Sequence, residues 1–242
     1  MGWQVILSGA FAFILLLFIG LPPRSMWLFA VVSMSLEAVY FILLSSAYTD
    51  NDFSLVYPIA RGTAPAFLMA WSVLFLRENL TTGGVIGIIM IVCGMIVIGA
   101  TSLIQNRGSK FHIKGILTAL AVALIISLYT LIDGTAVKNG PPLPYALTMF
   151  MLVPAITTAY NLRRFGWMRF ASAWDRPRLP LIFAAILGVV AYLLALFAYS
   201  IAPVSYSGAI REVSVVIGAF LGWQFLGEKM GGTRVGYLFF IR

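Results

Sequence analysis

The sequence predicts an all-α integral membrane protein of about nine transmembrane helices with an inverted internal repeat, and three observations carry that expectation. One is composition: 61% of the 242 residues are hydrophobic and 10% are charged, where a soluble domain carries about 25% charged residues. Another is spacing, because apolar stretches of the roughly 20 residues that a helix needs to cross a bilayer recur from end to end. The third is an internal repeat. A water-soluble protein is excluded.

Spans are expected at 3–20, 26–48, 53–76, 82–104, 115–137, 144–161, 180–200 and 204–226, with a ninth opening near 235. Residue 1 leads straight into the first apolar run with no basic n-region and no small-residue cleavage pattern, so the run reads as a span rather than a removable leader. The loop LPPRS at 21–25 separates the first two helices. Pro58, Pro65 and Pro154 are expected to interrupt their spans as in kinked transporter helices. Gly83-xxx-Gly87 and Gly218-xxx-Gly222 show the spacing that lets helices approach closely. The last apolar run, 235–241, would rise only about 10 Å at about 1.5 Å per residue, a third of the hydrocarbon core. That span is therefore expected to be cut short.

The repeat is read directly. YPIARGTAPAFLMAWSVLFLREN (57–79) lies on SGAIREVSVVIGAFLGWQFLGEK (207–229) at a constant shift of 150, which puts Arg61 on Arg211, Glu78 on Glu228 and Val85 on Val235. Ala47-Tyr48 falls on Ala198-Tyr199 with a one-residue gap. Matching helices stand five apart, an odd number, so the two copies must cross the membrane in opposite senses. Such inverted repeats give alternating access around a midplane site. The first repeat is assigned to 1–104, with a helix expected to be missing in front, and the second to 115–242.

Charge marks the two faces of the membrane. Lys and Arg number 16 against 8 Asp and Glu, and most of the excess sits in short loops, where it orients helices rather than binding nucleic acid. One face carries Arg24, Arg77 and Lys138; the other carries Arg107, Lys110, Lys114, Arg163, Arg164, Arg169, Arg176, Arg178, Lys229 and Arg234. The positive-inside rule places the second face in the cytoplasm. Cys93, the single cysteine, lies in an apolar stretch, so one chain can form no disulfide.

Five ionisable side chains fall inside spans, where each costs about 2.5–3.5 kcal/mol to insert and so reads as a functional hypothesis. They are Glu37, Arg61, Asp133, Arg211 and Glu212. Chain direction puts Glu37 and Arg61 in one half of the membrane and Asp133 and Arg211 in the other, which suggests two acid–base pairs. On one reading the arginines line a cavity and offer planar forks to an anion, while Glu37, Asp133 or Glu212 takes up protons. On the other, the charges form structural salt bridges. Glu212 follows Arg211 directly and is expected to face another way. Tyr40, Tyr57, Tyr129 and Tyr199 lie near these charges and would either bond a substrate or anchor helices at the interface. Glu78 and Glu228 are expected at helix ends as boundary or gate residues. No catalytic residue, metal site or cofactor is expected: the lone His112 is in a basic loop, and no HExxH, GxSxG or phosphate loop is present. Alternative readings are a membrane enzyme acting on a lipid substrate and a non-transporting fragment.

SAYTDNDFSLVYPIARGTAP (46–65), AWSVLFLRE (70–78), YTLIDG (129–134) and GAIREVSVVIGAFLGWQFLGE (208–228) together resemble the EamA-domain transporters of the drug/metabolite transporter superfamily. The likeness covers nearly the whole chain. It implies a ten-helix fold of two inverted five-helix repeats in a bacterial inner membrane and transport of a small polar metabolite, amino-acid-like or anionic. The partners it implies are that small-molecule substrate and the lipid bilayer; a homodimer that completes the missing helices is a further expectation. Family members are drawn with both termini inside, which places 161–179 outside, opposite to the charge count.

Overall fold

The computed structural model describes residues 2–50, 53–105, 113–172, 174 and 178–226. Eight helices are seen: α1 (Gly2–Ile19), α2 (Arg24–Asp50), α3 (Phe53–Leu76), α4 (Thr82–Gln105), α5 (Ile113–Lys138), α6 (Pro142–Ser172), α7 (Arg178–Ile201) and α8 (Val204–Leu226). No strand occurs among the described residues. That is the outcome a bilayer demands, because in hydrocarbon every backbone N–H and C=O must find its partner within the segment. Six of the helices contain described stretches long and apolar enough to span. The ninth span and Glu228 lie outside the described residues, as does the side chain of Tyr57.

Two compact units divide the chain. One takes in Met1–Ile42 and Tyr129–Ala202; the other takes in Leu43–Leu128 and Pro203–Arg242. Two of the dividing points fall inside α2 and α5 and the third between α7 and α8. A repeat is defined along the chain and a unit by proximity in space, so each unit draws on both sequence halves.

In the first unit α1, α6 and α7 pack mutually. Ala12, Leu16, Leu147 and Val189 form a buried cluster flanked by Phe11, Leu15, Leu143, Phe150 and Met151. Close approach comes from Gly9 of α1, where a Cβ would stand 2.5 Å from Pro154 and 3.0 Å from the carbonyl of Phe150. Ser8 donates to the carbonyl of Ala185 at 3.2 Å and tethers α1 to α7. The outward faces are as apolar as the core: Leu17, Phe18, Leu28, Leu187 and Leu194 are exposed, as lipid contact requires.

The second unit is built on α3, which packs against both α4 and α8. Ala60, Ala64, Leu68 and Ser72, one helical turn apart, form its buried stripe, and Leu68 fills the space above Gly208. Trp71 donates to Ser127 Oγ of α5 at 3.2 Å.

Three sequence expectations are corrected here. The prolines do not interrupt their spans: α3 is helical across Pro58 and Pro65 and α6 across Pro154, while the non-helical backbone in α6 is at Gly166 (φ 74°, ψ 163°). Gly83 and Gly87 have no described neighbour within 4 Å of where a Cβ would stand; the tight contact belongs to Gly84, under the Tyr206 ring. Spacing alone does not say which way a helix is turned. Finally, the first stretch of α6 stays helical to Phe165, past the expected 161, before the break at Gly166. Hydropathy falls at Asn161–Arg164 because the chain leaves hydrocarbon, but nothing there obliges the helix to end.

Candidate functional site

Each unit holds a buried carboxylate. In the second unit, Glu212 of α8 is 2% exposed and ion-pairs with Arg61 of α3 at 3.1 Å, through Nη1 and Oε1. The same oxygen lies 3.7 Å from Nη2 of Arg211. The repeat-equivalent arginines therefore meet at one acceptor. The two arginine side chains are less deeply buried than Glu212, 24% exposed for Arg61 and 21% for Arg211. Adjacent residues on a helix point about 100° apart, yet Arg211 reaches the acceptor beside it because its long stem can bend back along the helix. For that reason the expectation that Glu212 faces elsewhere missed the cluster. At the position matching Glu212 the first repeat has Gly62, so the symmetric arginines are served by an asymmetric carboxylate.

In the first unit, Asp133 of α5 is wholly buried. Its Oδ1 accepts from the hydroxyl of Tyr145 at 2.7 Å, and Oδ2 accepts from the hydroxyl of Tyr192. Glu37 stands partly buried on α2, and Tyr40 of the same helix packs its ring 6.1 Å from that of Tyr129 on α5. Tyr199 is buried on α7. Sequence reasoning did not single out Tyr145 and Tyr192. Tyr192 carried a usable signal: it is the fifteenth of 24 residues in α7, too deep for an interfacial tyrosine. Tyr145 carried none, being four residues from the start of its helix. The expected pairs Glu37 with Arg61 and Asp133 with Arg211 join residues of different units and remain expectations.

Glu78 has a defined task at the end of α3. Its carboxylate accepts from the backbone N–H of Val204 at 2.6 Å and of Ser205 at 3.2 Å, and from the Ser205 hydroxyl at 2.7 Å. It thereby caps the first turn of α8 from another helix, satisfying donors that a helix start leaves open. Arg77, at φ 52°, turns the chain so that Glu78 can reach. Tyr206 adds a second tie by accepting from the N–H of Thr81 at 2.7 Å. Beside this corner lies an open, largely apolar groove of about 620 Å³ between Met69, Val73, Glu78 and Val85, whose lining includes neither arginine. Among the described residues no group of three His, Cys, Asp or Glu could hold a metal ion.

A chain whose described residues are helical, with apolar outer faces and charges held within its helix packing, is a multi-pass membrane protein. The profile of the EamA-like transporter family matches residues 1–100 and 113–241, and the chain belongs to that family, within the drug/metabolite transporter superfamily. An uncharacterised protein of Methanocaldococcus jannaschii is 34% identical over 74 residues, which is 31% of this chain and 53% of the relative. The chain thus spans about half the length of the curated relative it matches.

Proposed function

We propose that the protein is a secondary carrier that moves a small anionic or zwitterionic metabolite across a bacterial inner membrane by alternating access. The observation that carries this reading is the convergence of Arg61 and Arg211 on Glu212. Arginine is costly in a span, and two at repeat-related positions give the inverted halves one shared anion-binding element. A substrate carboxylate offers the same acceptor geometry as Glu212 and competes with it for the guanidinium donors. Binding is then an exchange of one charge-assisted hydrogen bond for another, each worth about 1.5–3 kcal/mol. The small net gain lets the substrate leave on the far side, as conduction through any carrier requires.

Asp133 supplies the second half of the proposal. While ionised it accepts from both tyrosine hydroxyls and ties α5 to α6 and α7. A proton on either oxygen turns that oxygen into a donor and obliges its tyrosine to turn from donating to accepting, so proton uptake would loosen the tie and bias which side is open. The chemistry is binding and release, with no bond made or broken, so the reading is of a carrier and not an enzyme. A small-molecule substrate, the lipid bilayer and a second copy of the chain are its partners; nucleic acid is not.

The test is counterflow uptake into proteoliposomes. Labelled carboxylates, zwitterionic amino acids and organic cations are compared, with and without a pH gradient. Preference for the first two, abolished in Arg61→Ala and Arg211→Ala, supports the reading. Uptake of cations that survives both substitutions overturns it.

A further inference from the structure

The corner between α6 and α7 is a second place where charge is concentrated, and the carrier reading makes no use of it. Residues 142–165 of α6 rise about 36 Å at about 1.5 Å per residue, more than the roughly 30 Å of hydrocarbon, so the end of this stretch lies among the headgroups. Gly166 then breaks the helical path (φ 74°, ψ 163°). Arg163 and Arg164 are exposed just before the break. Trp167 and Met168 are exposed just after it, at 66% and 84%. Arg178, also exposed, opens α7.

Beneath these side chains is a fixed aromatic platform. Trp3 stacks on Phe170 with ring centroids 5.1 Å apart and donates to the Phe170 carbonyl at 2.8 Å. Trp174 lies 4.6 Å from Trp3, and the Arg178 guanidinium sits 5.3 Å above the Trp174 ring. Arg164 is held 5.9 Å from the Tyr160 ring and 5.7 Å from the Phe165 ring, and it bonds the Tyr160 hydroxyl. Aromatic faces thus orient two of the three guanidiniums without neutralising them. Among the described residues none of the three arginines has a carboxylate within ion-pair distance.

We propose that this corner is a binding surface for anionic phospholipid, with Arg163, Arg164 and Arg178 facing the phosphates and Trp167 and Met168 entering the boundary between headgroups and acyl chains. Charge complementarity selects the lipid, since guanidinium pairs with phosphate through two parallel hydrogen bonds, and each basic residue near a surface adds to anionic-lipid attraction. The same donors would accept a free phosphate. The lipid is assigned because the exposed Trp167 and Met168 flank the arginines, and a soluble anion would leave them in water.

The full chain in detergent micelles is titrated with phosphatidylglycerol, phosphatidylcholine and inorganic phosphate. Bound lipid is counted by native mass spectrometry, and the melting temperature is followed in parallel. The protein is expected to bind phosphatidylglycerol at least about tenfold more tightly than phosphatidylcholine. The combined variant R163Q/R164Q/R178Q should lose about 100-fold of the phosphatidylglycerol affinity, about fivefold per arginine, with phosphatidylcholine binding unchanged as the control for folding. Should that variant not fold, R178Q alone is expected to lose about fivefold. Wild-type phosphatidylglycerol affinity in whichever variant folds overturns the proposal, and so does inorganic phosphate that displaces the lipid at equal concentration.

Discussion

Asp133 and Glu212 are both carboxylates shut inside helix packing, yet the company they keep differs in kind. Asp133 accepts from two neutral hydroxyls on rigid rings, whereas Glu212 is held by guanidiniums on flexible stems. A tyrosine has two rotatable bonds and cannot follow a departing acceptor far. An arginine can pivot to a new one while its charge stays satisfied. The first arrangement suits a tie that is either made or broken, and the second suits exchange of one anion for another. The contrast teaches that buried charge in one membrane chain can serve both to fasten and to bind, and that the partner's flexibility separates the two.

The largest expected effect comes from removing the fastening. Asp133→Ala leaves two buried hydroxyls without their acceptor and should destabilise the protein by about 2–4 kcal/mol, read from denaturant titration in micelles. Asp133→Asn keeps a carbonyl and should lose about half as much. Equal losses in the two variants would break the contrast, because the acceptor would then be irrelevant. Arg61→Ala should instead spare the fold and reduce transport about 10- to 100-fold, the worth of a charge-assisted contact. Arg61→Lys should recover only part of that, since a point charge cannot replace the fork. A large fall in melting temperature with Arg61→Ala would move this cluster into the structural class.

Smaller effects sharpen the packing side. Gly84→Ala places a methyl group 2.2 Å from the Tyr206 oxygen and should cost about 1–3 kcal/mol as overpacking. Gly83→Ala, with no described neighbour at that point, should be neutral or stabilise by a few tenths. Glu78→Gln keeps an acceptor but loses the charge that the start of α8 favours, for about 0.5–1 kcal/mol. All three are measured by thermal unfolding, and a Gly83→Ala loss equal to that of Gly84→Ala would contradict the assigned face.

The eight helices were legible along the chain because spanning a bilayer is a local property. Each segment must satisfy its own backbone and present apolar atoms to lipid on most sides, and twenty residues reveal whether it does so. The end of α3 and the starts of α4 and α8 follow the sequence closely for that reason. The end of α6 did not, since leaving the hydrocarbon and ending a helix are different events. The charged residues Arg61, Arg211, Glu212 and Asp133 were also legible, because their cost is felt by one helix alone.

Which partners they take was not legible. Arg61 meets Glu212 across 151 positions, and Glu78 reaches Ser205 across 127. Tyr192 finds Asp133 across 59. Those pairings depend on the rotation and depth of one helix relative to another, and those are set by side-chain packing such as Leu68 over Gly208 or Gly9 against Pro154. Sequence by itself determined that the chain crosses the membrane repeatedly as helices, because hydropathy needs no knowledge of neighbours. Only the tertiary structure decided that repeat-related arginines share one carboxylate and that two unheralded tyrosines hold another, because a contact between distant helices has no physical basis until the helices are packed.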